Sequence, residues 1–124
     1  MKPPRDNSYI GVATRHFRKA ADFYIEHFGY EPVAELEDLV TVRSPNGKRC
    51  LGFGSGPGVE ADTGGKGVYL SFLVEDAEEA LSHFQTAGVA ITRGIEVGDW
   101  GAKHFVITDP AGLELYLSEQ AVGA

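Results

Sequence analysis

Three tyrosines stand where alternating strands would turn them to one side. In Leu113-Glu114-Leu115-Tyr116-Leu117-Ser118 the leucines form the face that a helix would cover, so Glu114, Tyr116 and Ser118 face the other way. The same parity sets Tyr69, Ser71 and Leu73 together, and likewise Tyr9, Gly11 and Ala13. A phenol offers a large apolar face and one polar tip, which suits flat ligands. Glu114 shares the face of Tyr116, as a general base or a counter-charge for a cationic ligand. Its plainer role is an ion pair with Arg49, which stands five residues after Ser44 as Glu114 stands five after Asp109. Trp100, the only tryptophan, lies between Gly98-Asp99 and Gly101, a setting for a lid or stacking surface.

The remaining reactive residues are scattered. His27 and His83 fall in helical stretches, and His16 precedes one. Pairing across Asp109–Gly112 sets His104 opposite Leu117, on the helix side, and a one-residue slip would turn it to the tyrosine face. Cys50 reads as a small apolar residue under a helix, and a single cysteine excludes an intrachain disulfide.

The elements that position these residues come twice. Ser44-Pro45-Asn46-Gly47 and Asp109-Pro110-Ala111-Gly112 each read as a tight turn feeding a strand. Val68 to Val74 opens the second half as Tyr9 to Thr14 opens the first. A helix follows each: Phe17 to Phe28, closed by Gly29, and one carrying Ala77, Ala80, Leu81 and Phe84, capped by Glu75 or Asp76 and ended by Gly88. Strands are predicted over 33–36, 39–43, 48–53, 89–92, 103–108 and 113–118. The class is α+β: two tandem β-α-β-β-β modules, at about 7–53 and 68–119, forming a curved mixed sheet. A glycine-rich linker over 54–67 joins them. It lacks the GxxxxGK[ST] of a phosphate loop and no helix pattern follows, so it is not read as one.

At 124 residues the chain reads as one domain. A net charge of −7 disfavours nucleic acid. No apolar run approaches the ~20 residues of a membrane helix, and the first residues lack a secretory pattern, so a cytoplasmic protein is expected.

Three signatures carry a resemblance: Ala21-Asp22-Phe23-Tyr24 with Phe28-Gly29-Tyr30, then Trp100-Gly101-Ala102-Lys103-His104-Phe105, then Asp109-Pro110-Ala111-Gly112. In these, and in element order, the chain resembles the vicinal oxygen chelate superfamily of glyoxalase I, extradiol dioxygenases, fosfomycin-resistance enzymes and bleomycin-resistance proteins. The resemblance implies a concave sheet face with metal ligands at fixed strand positions. Those positions hold Tyr9, Tyr69 and Tyr116 here, and the first-half counterpart, seven after Ser44, is Leu51. A neutral phenol, titrating near pH ~10, is a poor ligand for a divalent ion. No metal and no other cofactor is therefore expected, as in the drug-sequestering bleomycin-resistance branch.

The expected function is metal-independent binding of an aromatic or cationic compound such as an antibiotic, by a homodimer. The expected ligand set is Tyr9, Tyr69, Ser71, Tyr116 and Trp100, with Arg49, Leu51, Phe53, Phe105 and Glu114 around them. Glu114 is the one catalytic candidate. The alternatives are a lyase, isomerase or dioxygenase-type enzyme of the same superfamily, and a structural or regulatory module with a filled cavity.

Overall fold

The computed structural model describes residues 9–54, 64–66, 68–98 and 101–120. The chain divides into two compact units, Met1–Gly64 and Gly65–Ala124.

In the first unit, strand β1 (Tyr9–Ala13) leads into helix α1 (Phe17–Phe28), then β2 (Glu31–Glu35), β3 (Leu39–Arg43) and β4 (Cys50–Gly54). The sheet order is β1-β4-β3-β2. β1 runs parallel to β4, and the other neighbours are antiparallel. Helix α1 forms because its apolar side chains recur every three or four residues. It buries Ala20, Ala21 and Tyr24, and packs on β3 and β4. Gly29 ends it at φ 70°, a left-handed value that favours glycine, and the Tyr30 N–H donates back to the Tyr24 carbonyl at 3.2 Å. The core beneath is Val40, Val42, Leu51 and Phe53, with Phe53 stacked on Tyr24 at 5.4 Å between centroids.

The second unit repeats the plan. β5 (Tyr69–Leu73) leads into α2 (Ala77–Thr86), then β6 (Ile91–Val97), β7 (Lys103–Thr108) and β8 (Glu114–Ser118). The order is β5-β8-β7-β6, with β5 parallel to β8. Asp76 caps α2 by accepting from the Glu79 N–H at 3.1 Å. Phe84 meets Phe105 edge to face at 6.2 Å, above Ile107, Leu115 and Leu117. Each such fully buried side chain contributes about 1.5–3 kcal/mol.

The α+β reading and the two β-α-β-β-β modules hold, as two four-stranded mixed sheets rather than one. The differences lie at strand ends and turns. β6 runs to Val97, well past the predicted end at Thr92, and carries two register irregularities, between Ile91 and Arg93 and between Arg93 and Glu96. The two turns also differ in length. Six residues, Ser44–Arg49, separate the paired positions Arg43 and Cys50, but five, Asp109–Leu113, separate Thr108 and Glu114. In the shorter turn the buried Asp109 Oδ1 accepts from the N–H groups of Ala111 (2.9 Å) and Leu113 (2.8 Å). In the longer one Asn46 Oδ1 accepts from the Ser44 hydroxyl (2.7 Å) and the Lys48 N–H (2.9 Å).

Candidate functional site

Each sheet has one face under its own helix and one face that the helix does not cover. Tertiary packing decides the first. The second is where side chains are free to meet a ligand, and in the second unit it carries a cluster. Tyr69 and Ser71 come from β5, Glu114, Tyr116 and Ser118 from β8, as strand alternation predicts. Ser71 pairs with Tyr116, and Tyr69 with Glu114. The rings of Tyr69 and Tyr116 lie 5.0 Å apart at 55°. With Ser71 and Ser118 they line a concavity of about 350 Å³. Tyr69 is 65% exposed, high for an aromatic residue with so much apolar area.

Two residues outside the expected set complete the cluster. His104 pairs with Ser118, so it shares the face of Tyr116 and stacks on its ring at 5.7 Å and 25°. The expected partner was Leu117, which pairs with Phe105 instead. The reason is Leu113: it is the fifth residue of the turn, its carbonyl accepting from the Asp109 N–H, and not the first of the strand. One extra turn residue exchanges the faces of β7.

Arg93 is the second. Its Nη2 donates to the Tyr116 hydroxyl at 2.7 Å and stands 3.9 Å from Glu114 Oε2. Its guanidinium carbon is 5.5 Å from the Tyr116 ring centroid. The register break between Ile91 and Arg93 puts it there. Ile91 pairs with Ile107 and Arg93 with Val106, so two steps on β6 oppose one on β7. Without the extra residue, Thr92 would oppose Val106 and Arg93 would point under the helix. The hydrogen bond to Tyr116 first, and then the Glu114 and Glu96 carboxylates, hold the Arg93 guanidinium above its usual pKa. Gly94, beyond the strand predicted over 89–92 but inside the observed β6, was the available signal, since an interior glycine often marks a bulge.

Other expected site residues lie elsewhere. Phe105 is fully buried against Phe84, on the helix side of the second sheet. Phe53 is fully buried against Tyr24, and Leu51, next to but one on the same strand, is 3% exposed on that face. Counting seven from Ser44 fails because the first turn is one residue longer. The third residue of β8 is Tyr116, and the third of β4 is Gly52. Arg49 is an exposed turn residue whose N–H donates to the Ser44 hydroxyl at 3.1 Å, and the ion partner of Glu114 is Arg93. Cys50 pairs with Tyr9 and so lies on the open face, not under the helix. Trp100 lies outside the described residues.

Tyr9 occupies the open face of the first sheet. Its ring lies across Gly52, where a Cβ would overlap the phenol oxygen, and that oxygen is 3.4 Å from Thr41 Oγ1. Only a glycine leaves this groove for the ring.

The superfamily's metal-dependent members imply a metal, and the residues here do not fit one. The family positions hold Tyr9, Tyr69, Tyr116 and, with the turn length corrected, Gly52. The Tyr116 oxygen already takes a cationic guanidinium donor, which opposes a second cation on the same lone pairs. Among the described residues no three His, Cys, Asp or Glu side chains converge to hold a metal. The open face of the second sheet instead offers stacking area, the four hydroxyls of Tyr69, Ser71, Tyr116 and Ser118, and an Arg–Glu pair.

Comparison with known proteins agrees with this architecture. Residues 8–117 match the model of the Glyoxalase/Bleomycin resistance protein/Dioxygenase superfamily. Among solved structures, the chain is similar to lactoylglutathione lyase from Agrobacterium tumefaciens, at 20% identity and a TM-score of 0.74 over 99% of both chains. It is similar to a superfamily member from Sphaerobacter thermophilus, at 26% identity and a TM-score of 0.74, covering 94% of this chain and 98% of that one. A bleomycin resistance determinant encoded on the transposon Tn5 aligns at 20% identity with a TM-score of 0.64, over 95% of this chain and 100% of that one. No match is found among curated protein sequences. None of the described helices is long and apolar enough to cross a membrane. With the family model matched over most of the chain and the paired β-α-β-β-β modules in place, the protein belongs to the glyoxalase/bleomycin resistance protein/dioxygenase superfamily.

Proposed function

We propose that this protein is a metal-independent small-molecule-binding protein that sequesters a planar aromatic compound, such as an antibiotic. The observation that carries this is the exposed Tyr69 ring beside Tyr116, 5.0 Å apart over a concavity of about 350 Å³. Arranged rings with hydroxyls between them bind flat molecules through apolar area and orient them through a few polar contacts. The Tn5 bleomycin resistance determinant shares the fold and makes drug sequestration a natural use of such a face. A cationic ligand is less favoured than the sequence implied, because Arg93 lies 3.9 Å from the carboxylate that would attract it.

Binding is tested by titrating planar antibiotics and glycopeptides of the bleomycin type, read by calorimetry and by the fluorescence of Trp100. Tyr69→Ala should weaken a ligand that binds by about 1–3 kcal/mol, the scale of a lost stacked ring and its area. An unchanged affinity would remove this face as the site. We further propose that the protein works as a homodimer, since one unit's open sheet alone encloses little volume. Sedimentation at micromolar concentration should give twice the 13.3 kDa chain mass, and a monomer would refute it.

A further inference from the structure

We infer that Tyr116 presents a hydrogen-bond donor to the ligand, polarised by Arg93, so that the site selects planar aromatics carrying an acceptor oxygen, above all a ring carbonyl. This rests on the reading of the face as an aromatic-binding site and names the class of aromatic it takes. A guanidinium can only donate. The 2.7 Å contact from Arg93 Nη2 therefore occupies a lone pair of the Tyr116 oxygen, and the phenol cannot donate back to Arg93. The phenolic hydrogen therefore points away from Arg93. It meets no acceptor among the described residues, where the one hydrogen bond at the Tyr116 oxygen is the one from Arg93.

Tyr116 lines the concavity, so the unspent donor belongs to the site. A cation on the oxygen withdraws electrons from the O–H bond and strengthens it as a donor. Arg93 is held in turn by Glu114 at 3.9 Å and by the bulge that turns it to this face. The two carboxylates that act on Arg93, Glu114 and Glu96, outnumber its one positive charge. That balance favours a neutral acceptor such as a ketone or quinone oxygen over a free carboxylate. Arg93 is thus a positioning residue, acting on the ligand through Tyr116.

The test compares 9-fluorenone with fluorene, two planar molecules of nearly equal shape that differ by a carbonyl against a methylene. The wild-type protein should bind fluorenone about tenfold more tightly, the scale of one good hydrogen bond. Tyr116→Phe keeps the ring and should bring the fluorenone-to-fluorene affinity ratio down to about one, with the loss falling on fluorenone. Arg93→Met should shrink the preference to roughly threefold, and Arg93→Lys, which still donates, should restore it. A preference that survives Tyr116→Phe, or that Arg93→Met leaves intact, overturns the inference. Equal wild-type affinities that Tyr69→Ala weakens alike would keep the aromatic site and discard the donor. Failure of both compounds to bind up to their solubility limits would overturn the inference together with the reading beneath it. The Arg93 side chain is 47% exposed, so the two Arg93 variants should unfold at the wild-type temperature.

Discussion

Replacing Gly52 with alanine should cost stability through a residue 43 positions away in sequence, Tyr9. The new Cβ would occupy the place of the Tyr9 phenol, so the ring must leave the sheet. Tyr9 is 46% exposed, so about half of its surface rests on the protein. For an aromatic side chain that half is about 100 Å², or about 2.5 kcal/mol at ~25 cal/mol per Å². The 3.4 Å contact with Thr41 is long for a hydrogen bond between hydroxyls and adds little. Alanine in a strand recovers about 0.5–1 kcal/mol of backbone entropy relative to glycine. The net loss should be about 1.5–2 kcal/mol, read as a lower urea midpoint at unchanged slope. The control is the same substitution in a Tyr9→Ala background, where no ring remains to be displaced. There Gly52→Ala should be neutral or stabilising by up to about 1 kcal/mol. An equal loss in both backgrounds would show that the cost does not pass through Tyr9, and the reasoning would fail.

Asp109→Ala removes a buried acceptor of two backbone N–H groups and should destabilise by about 2–3 kcal/mol. Asp109→Asn keeps that oxygen and should lose no more than about half as much, measured by the same denaturation. Burial raises the Tyr30 pKa above its usual value of 10.0, so the folded state resists an ionisation that the unfolded chain accepts. Stability from this residue is whole below pH ~10 and is lost as pH rises from there through the folded value. Thermal unfolding between pH 9 and 11.5 should therefore fall less steeply in Tyr30→Phe, and parallel curves would refute it.

Where local patterns and packing agreed, the architecture was legible. Phe17–Phe28 follows from its apolar stripe and Gly29, and Lys103–Thr108 from its β-branched run. The parity of β5 and β8 placed Tyr69, Ser71, Glu114 and Tyr116 on one face because side chains alternate and Leu115 and Leu117 declare the core. Three of the misses were a count of one. Leu113 belongs to a turn and so brought His104 across. Ser44–Arg49 is one residue longer than its counterpart and so misplaced Leu51. An extra residue on β6 delivered Arg93. Composition and periodicity constrain which side chains want burial, but not where a strand begins, and a single residue there reverses a face. Phe53 and Phe105 were misplaced for a related reason. An aromatic near a site serves packing or binding according to parity alone, and both pack against their own helices.

The bulge beside Arg93 makes the chemistry of this face depend on chain length as much as on residue type. Inserting one residue between Thr92 and Arg93, with the bulge kept, would leave every other letter of the cluster in place, yet it would set the new residue opposite Val106, carry Arg93 on to Phe105 under α2 and leave the Tyr116 hydroxyl without its cation. No substitution at position 93 makes the same change, since each leaves a side chain on the open face. An edge strand tolerates such an insertion better than a central one, having one hydrogen-bonded neighbour to re-register. Insertion and deletion in β6 are thus a route by which this scaffold can gain or lose a positive charge over its tyrosine in one step. Chains built on it are better compared there by length than by letter.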